Sequence, residues 1–238
     1  MSCDYLCGCK ENESMGVGFD IDCQSCEANK FCYPGSGKLA NFEHIDIRYS
    51  KGDMIFKQGT IAPHVMLLKE GLVKIFLEHD NQRQTICLEK DGFIGLESMY
   101  TDQHFQYSVM ALTDIKVCLI EINEFQKQVL ENGQLGAALI TDLNKRSHYL
   151  YQRIIALTRK QAHGRIADII LCLAGRIFES DQFVIPCKQK ELAEMAAISP
   201  ESLSRILKDF KEDGVVSITG KNVSVLDRAK LEMISKVS

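Results

Sequence analysis

Nowhere in this sequence does an apolar run approach the ~20 residues that a membrane span requires. The first residues, Met1-Ser2-Cys3-Asp4, place acid where a signal peptide carries basic residues. Neither secretion nor membrane insertion is expected, and the chain is expected in the cytoplasm. Tryptophan is absent. So are the marks of common catalysts: no nucleophile motif, Walker loop or dinucleotide fingerprint occurs, and no enzyme is expected. The six histidines (His44, His64, His79, His104, His148 and His163) are scattered without ligand spacing, so nothing selects a haem ligand.

What is present describes a globular chain: 238 residues, 25% charged, 45% hydrophobic, net charge −4. That length suggests two domains, each able to bury its own core. Cysteine is the unusual component. Of ten, Cys3, Cys7, Cys9, Cys23, Cys26 and Cys32 fall within the first 32 residues. A secreted disulfide scaffold would be short and cysteine-dense throughout. In a reducing compartment, such a cluster reads instead as metal-binding or redox-active.

Residues 1–40 form a Gly-, Cys- and acid-rich arm without helical or strand period, closed by the turn formers Tyr33-Pro34-Gly35-Ser36-Gly37. Alone it has too little apolar surface to fold, and a metal would tie it down. Residues 41–130 are short apolar runs separated by turns. Strands are expected at Val65–Leu68, Leu72–Leu77, Thr85–Leu88 and Ile115–Ile120, an antiparallel sandwich or roll. From about Asn123 onward the period becomes helical, and over residues 131–162, the expected dimerisation helix, Leu139, Leu143, Leu150, Ile154 and Leu157 line one apolar stripe. Such a stripe packs either on its own domain or on a second helix. The absence of Gly and Pro between Gly136 and His163 favours one helix of about seven turns and a dimer seam through Leu143, Leu150, Ile154 and Leu157.

Residues 163–238 begin with an apolar helix, Ile166–Phe178, and end in a helix-turn-helix pattern. Gln189–Ala196 is a short amphipathic helix, and Ala197-Ile198-Ser199 is the turn. Ser199-Pro200-Glu201 is a helix start, with an N-cap hydroxyl, proline at the first position and acid in the first turn. The second helix runs to about Asp213, with Leu203, Ile206, Leu207 and Phe210 inward; Val215–Thr219 and Val223–Leu226 follow as a wing. Its outer face offers Glu201, Ser204 and Arg205. Arginine can grip O6 and N7 of guanine together, glutamate can accept from cytosine N4, and serine can reach either partner. An ordinary surface face with a Glu–Arg i,i+4 pair would present the same residues. The preceding helix, three-residue turn and wing favour DNA. Residues 159–238 carry 13 Lys and Arg against 11 Asp and Glu, whereas residues 1–158 carry 15 against 21, so the C-terminal part suits a polyanion better.

From residue 20 onward the chain resembles the CRP/FNR family of bacterial transcription regulators: β-roll, long helix and winged helix-turn-helix, in that order. Glu201-Ser202-Leu203-Ser204-Arg205 matches the Glu-x-x-Ser-Arg motif of the FNR branch. The resemblance implies an α+β fold, with an N-terminal double-stranded β-roll like that of cyclic-nucleotide-binding proteins, a dimerisation helix and a C-terminal winged helix-turn-helix. It implies a homodimer on double-stranded DNA, inverted TTGAT-like half-sites with Arg205 on the guanine, and contact with RNA polymerase. Cyclic-nucleotide members neutralise the phosphate with an arginine, but Gly92–Asp114 contains no Arg or Lys, so no cyclic nucleotide is expected. Cys23, Cys26 and Cys32 have the C-x2-C-x5-C spacing of the FNR cluster motif, and Cys118 occupies the place of its distant fourth ligand. A [4Fe-4S] cofactor and oxygen sensing are what the resemblance implies.

Alternatives stay open on the residues alone. A C-x2-C pair also serves zinc, a thiol-based redox regulator of the same fold, or a thiol oxidoreductase. Zinc prefers paired short spacings, and an oxidoreductase places its pair at the start of a helix. Cys87, on an expected strand, is the other candidate for fourth ligand. Cys3, Cys7 and Cys9 have no derived role, while Cys172 and Cys187 read as structural.

Overall fold

A computed structural model describes residues 44–80 and 82–237. The arm, with Cys3, Cys7, Cys9, Cys23, Cys26 and Cys32, lies outside the described residues. The contacts within the chain divide it into two units: residues up to 78 with 88–145, and residues 79–87 with 146 onward.

Residues 44–121 form an antiparallel roll, most of it in the first unit, with residues 79–87 grouped in the second. Its strands are β1 (His44–Tyr49), β2 (Met54–Phe56), β3 (His64–Glu70), β4 (Val73–His79), β5 (Gln82–Glu89), β6 (Gly92–Ile94), β7 (Ser108–Ala111) and β8 (Ile115–Glu121). They form two four-stranded sheets, ordered β1-β8-β3-β6 and β2-β7-β4-β5. The expected strands correspond to β3, β4, β5 and β8. Glycine is required at position 71, where φ is +92° and a Cβ would stand 2.4 Å from the Asp114 carbonyl oxygen.

Strand β8 organises this unit. It pairs with β1 on one side and β3 on the other, and all its positions between Val117 and Ile120 are buried. A central strand covered on both faces reads as a continuous apolar run, as Val117-Cys118-Leu119-Ile120 does. Helix α1 (Ile122–Glu131) follows at once: the Glu121 carboxylate accepts the Glu124 N–H at 2.8 Å and caps it. Helix α2 (Gly133–Arg159) then runs 27 residues, about 40 Å at the α-helical rise. It is one helix, as the stripe predicts, and its start includes both Gly133 and Gly136.

The stripe on α2 divides. Leu135 and Leu139 join Val65, Leu67, Cys118, Ile120, Ile122 and Phe125 in one buried cluster of the first unit, and Leu143 packs partly against it. Further along, Leu150, Ile154 and Leu157 are exposed at 47%, 58% and 39%. The reading of the stripe as a face packed on its own unit thus applies to its first turns, and the later turns are exposed in the single chain.

The second unit holds α3 (Ala162–Cys172), which continues through a π-helical turn at Leu173–Ile177, then β9 (Gln182–Val184), α4 (Gln189–Ala196), α5 (Pro200–Glu212), β10 (Val216–Thr219), β11 (Asn222–Val225) and α6 (Arg228–Val237). The wing has three strands, ordered β10-β11-β9. Ile166, Ile170, Leu192, Leu203, Phe210 and Val223 fill its core, while Leu207 is half-buried. Cys187 is buried, but Cys172 is only half-buried, so the reading of both as structural residues holds more strongly for Cys187.

Candidate metal centre and nucleic-acid interface

Cys118 lies in the middle of β8 at 5% exposure, on the face that α1 and the first turns of α2 cover. Antiparallel pairing puts it directly opposite Asp46, so the two side chains share a face, as does His44 two residues earlier. The His44 imidazole, the Asp46 carboxylate and the Cys118 Sγ offer ligand atoms that all lie within 4.8 Å of one another. Asp46 Oδ2 accepts from the Lys69 ammonium at 2.9 Å. Asp46 Oδ1 is buried and accepts no hydrogen bond among the described residues. His44 Nε2 stands 4.0 Å from it, too far for a hydrogen bond. Sequence spacing gave no hint of this grouping, because His44 and Asp46 are over seventy residues from Cys118 and only strand register joins them.

This location bears on the choice of fourth ligand. The arm leads into β1, the strand that pairs with Cys118, and Cys32 precedes His44 by twelve residues, a reach of up to ~40 Å when extended. Cys87 is also buried but lies on β5, in the other sheet. Four thiolates suit a [4Fe-4S] group. The described residues present Cys118, a buried thiol in apolar surroundings that could supply one corner of such a set.

The helix-turn-helix follows its expected boundaries. Glu191 accepts the Lys188 N–H at 2.7 Å at the start of α4. The turn begins at Ala197, left-handed at φ +50°. Ser199 Oγ accepts the Ser202 N–H at 3.2 Å and opens α5, with Pro200 in its first turn. That start places Glu201, Ser204 and Arg205 together on an exposed face, while Leu203, Ile206 and Phe210 turn inward. Hydrogen bonds from its own N–H and the Ser199 hydroxyl hold the Glu201 carboxyl below the usual carboxylate range, so it presents an acceptor at neutral pH. The Ser204 hydroxyl donates to the Pro200 carbonyl at 3.0 Å. Arg205 makes no ion pair among the described residues, so the Glu–Arg surface pair is not formed and the guanidinium is left for a ligand. The sequence reading passed over Lys188, Lys190 and Lys221, exposed cations at the start of α4 and in the wing turn, suited to phosphate.

In the segment 92–114, where a cyclic phosphate would need a cation, the Tyr107 hydroxyl donates to Glu97 Oε2 at 2.9 Å and accepts the Gly95 N–H at 3.0 Å. A carboxylate and a phenol occupy the place where the arginine was sought.

The sequence matches the Crp-like helix-turn-helix domain over residues 164–234 and the cyclic nucleotide-binding domain over residues 46–132. Among curated relatives, it is 26% identical to the transcriptional activator protein Anr of Pseudomonas protegens, over 88% of this chain and 90% of that protein. It is 23% identical to the fumarate and nitrate reduction regulatory protein of Vibrio cholerae, over 93% of each. Among solved structures, FixK2 from Bradyrhizobium japonicum superposes with a TM-score of 0.75 at 19% identity, over 82% of this chain and 98% of that one. These relatives are regulators of transcription, not enzymes. No helix among the described residues is long and apolar enough to cross a membrane.

Proposed function

This chain belongs to the CRP/FNR family of transcription regulators, and from that premise we propose that it is a cytoplasmic, homodimeric oxygen sensor of the FNR type. Cys23, Cys26, Cys32 and Cys118 would hold a [4Fe-4S] cluster, which supplies a centre that oxidants destroy. The observation that carries the reading is the place of Cys118. It is packed in the same buried cluster as Leu135 and Leu139, the first turns of α2. A ligand set joining the arm to Cys118 therefore ties it to the strand on which the start of the long helix rests. Release of that thiolate alters packing at the root of α2. Close-packed interiors answer such a change by shifting neighbours.

The output side follows from α5. Arg205, with no ion pair among the described residues, reads guanine, with Ser204 and Glu201 beside it, in inverted TTGAT-like half-sites. Two copies paired along the exposed Leu150, Ile154 and Leu157 would set the two α5 helices on successive turns of the duplex. RNA polymerase is the expected partner once DNA is bound. Glu97, and the lack of Arg or Lys in 92–114, argue against a cyclic nucleotide as the signal.

Binding of a duplex carrying a TTGAT palindrome, measured under anaerobic conditions and again after air exposure, tests this reading. Tight anaerobic binding that air weakens is expected. Arg205→Ala should cost about 1–3 kcal/mol per half-site and relax the choice at one base pair. Unchanged binding in that variant would refute the assignment of α5.

A further inference from the structure

We propose that His44, Asp46 and Cys118 form a mononuclear site for a zinc-type divalent cation, built on the roll itself and filled when no cluster is bound. The proposal rests on the reading of Cys118 above only in this sense: one thiolate cannot serve both, so the two occupancies exclude each other.

Strand register creates the grouping. β1 and β8 are antiparallel with Asp46 opposite Cys118, and His44 follows on the same face. The three ligand atoms, nitrogen, oxygen and sulfur, lie within 4.8 Å of one another. Around a tetrahedral zinc, such atoms stand roughly 3.5 Å apart, given metal bonds of about 2.0–2.3 Å. Side-chain rotation of about an ångström closes the difference.

Asp46 supplies the second observation. Its Oδ1 is buried without a hydrogen bond among the described residues, whereas Oδ2 is held by the Lys69 ammonium. A buried carboxylate oxygen without a partner is costly, and a cation between Oδ1, His44 and Cys118 removes that cost. Lys69 then orients the ligating carboxylate, as outer partners do in metal sites. Mixed imidazole, carboxylate and thiolate donors suit zinc, cobalt(II) or iron(II) and disfavour magnesium or calcium. On binding, the Cys118 thiol passes its proton to solvent, no electron is transferred, and the fourth position is left to water. A cation held there withholds Cys118 from the cluster, making cluster insertion sensitive to free divalent metal.

The test uses full-length protein in which Cys3, Cys7, Cys9, Cys23, Cys26 and Cys32 are all serine, so that neither a cluster nor an arm site can form. Titration with cobalt(II) should reach one equivalent, with a sulfur-to-metal charge-transfer band and the visible bands of a four-coordinate ion. Cys118→Ala should abolish the charge-transfer band, and His44→Ala should weaken cobalt binding at least tenfold while circular dichroism stays unchanged. His44 carries the test if Cys118→Ala fails to fold. A charge-transfer band that survives Cys118→Ala in folded protein, or no cobalt bound in the six-serine protein, overturns the site. Iron and sulfide in the wild-type protein report separately on the cluster, so either reading can fail alone.

Discussion

At the scale of single residues, the two candidate sites were legible to different degrees. Arg205, Ser204 and Glu201 declare themselves through local rules: a serine N-cap, a proline in the first turn, and spacing that fixes one helix face. Nothing distant is needed to place them. Cys118 was found by resemblance, and its neighbours His44 and Asp46 were missed, because only the β1–β8 register brings them together. Ala197 is a further local feature. It sits left-handed at the end of α4, a conformation that costs a residue with a Cβ roughly 1–2 kcal/mol, and it is exposed. Ala197→Gly relieves that strain at some cost in chain entropy, so a gain of about 0.5–1 kcal/mol is expected in thermal unfolding. A lower melting temperature would show that the turn carries no such strain.

At the scale of elements, α2 shows why a periodic pattern can be read correctly as a helix and still not say what covers it. Leu139 and Leu143 serve the roll, whereas Leu150 and Ile154 are exposed in the single chain, yet all share one spacing. The pattern fixes a face; only the fold tells which turns already have a partner. Short or polar elements escaped for the opposite reason. β9, with three residues, owes its existence to pairing with β11, and the break that separates α1 from α2 near Asn132 is not legible in the continuous helical pattern. The exposed turns of α2 carry their own prediction. Burying Leu150 and Ile154 against a second copy contributes about 1.5–3 kcal/mol per side chain. A Leu150→Glu, Ile154→Glu double variant, with four charges in the seam, should weaken the dimer by more than a hundredfold. It should elute as a monomer on gel filtration at micromolar concentration, where the parent protein is expected to elute as a dimer. A double variant that stays dimeric would move the interface off this face.

At the scale of the whole molecule, α2 has residues in both units: its first turns lie in the core around Cys118 and its later residues belong to the second unit. The order of parts was legible because each has its own period, alternation for the roll and the 3.6-residue repeat for the helices. The nature of the signal was less so, since it depends on which side chains meet across strands. The stripe positions Leu150, Ile154 and Leu157 are apolar, so we propose that assembly does not depend on the cluster and that control falls on how the α5 helices are presented to DNA. Everything in this account turns on a cluster bound to Cys23, Cys26, Cys32 and Cys118. Its most direct test is analysis of iron, acid-labile sulfide and zinc in anaerobically purified protein, before and after air. The account predicts brown protein with about four iron and four sulfide per chain, bleached by air, and loss of that content in Cys118→Ala. Colourless protein holding stoichiometric zinc and no sulfide would contradict it.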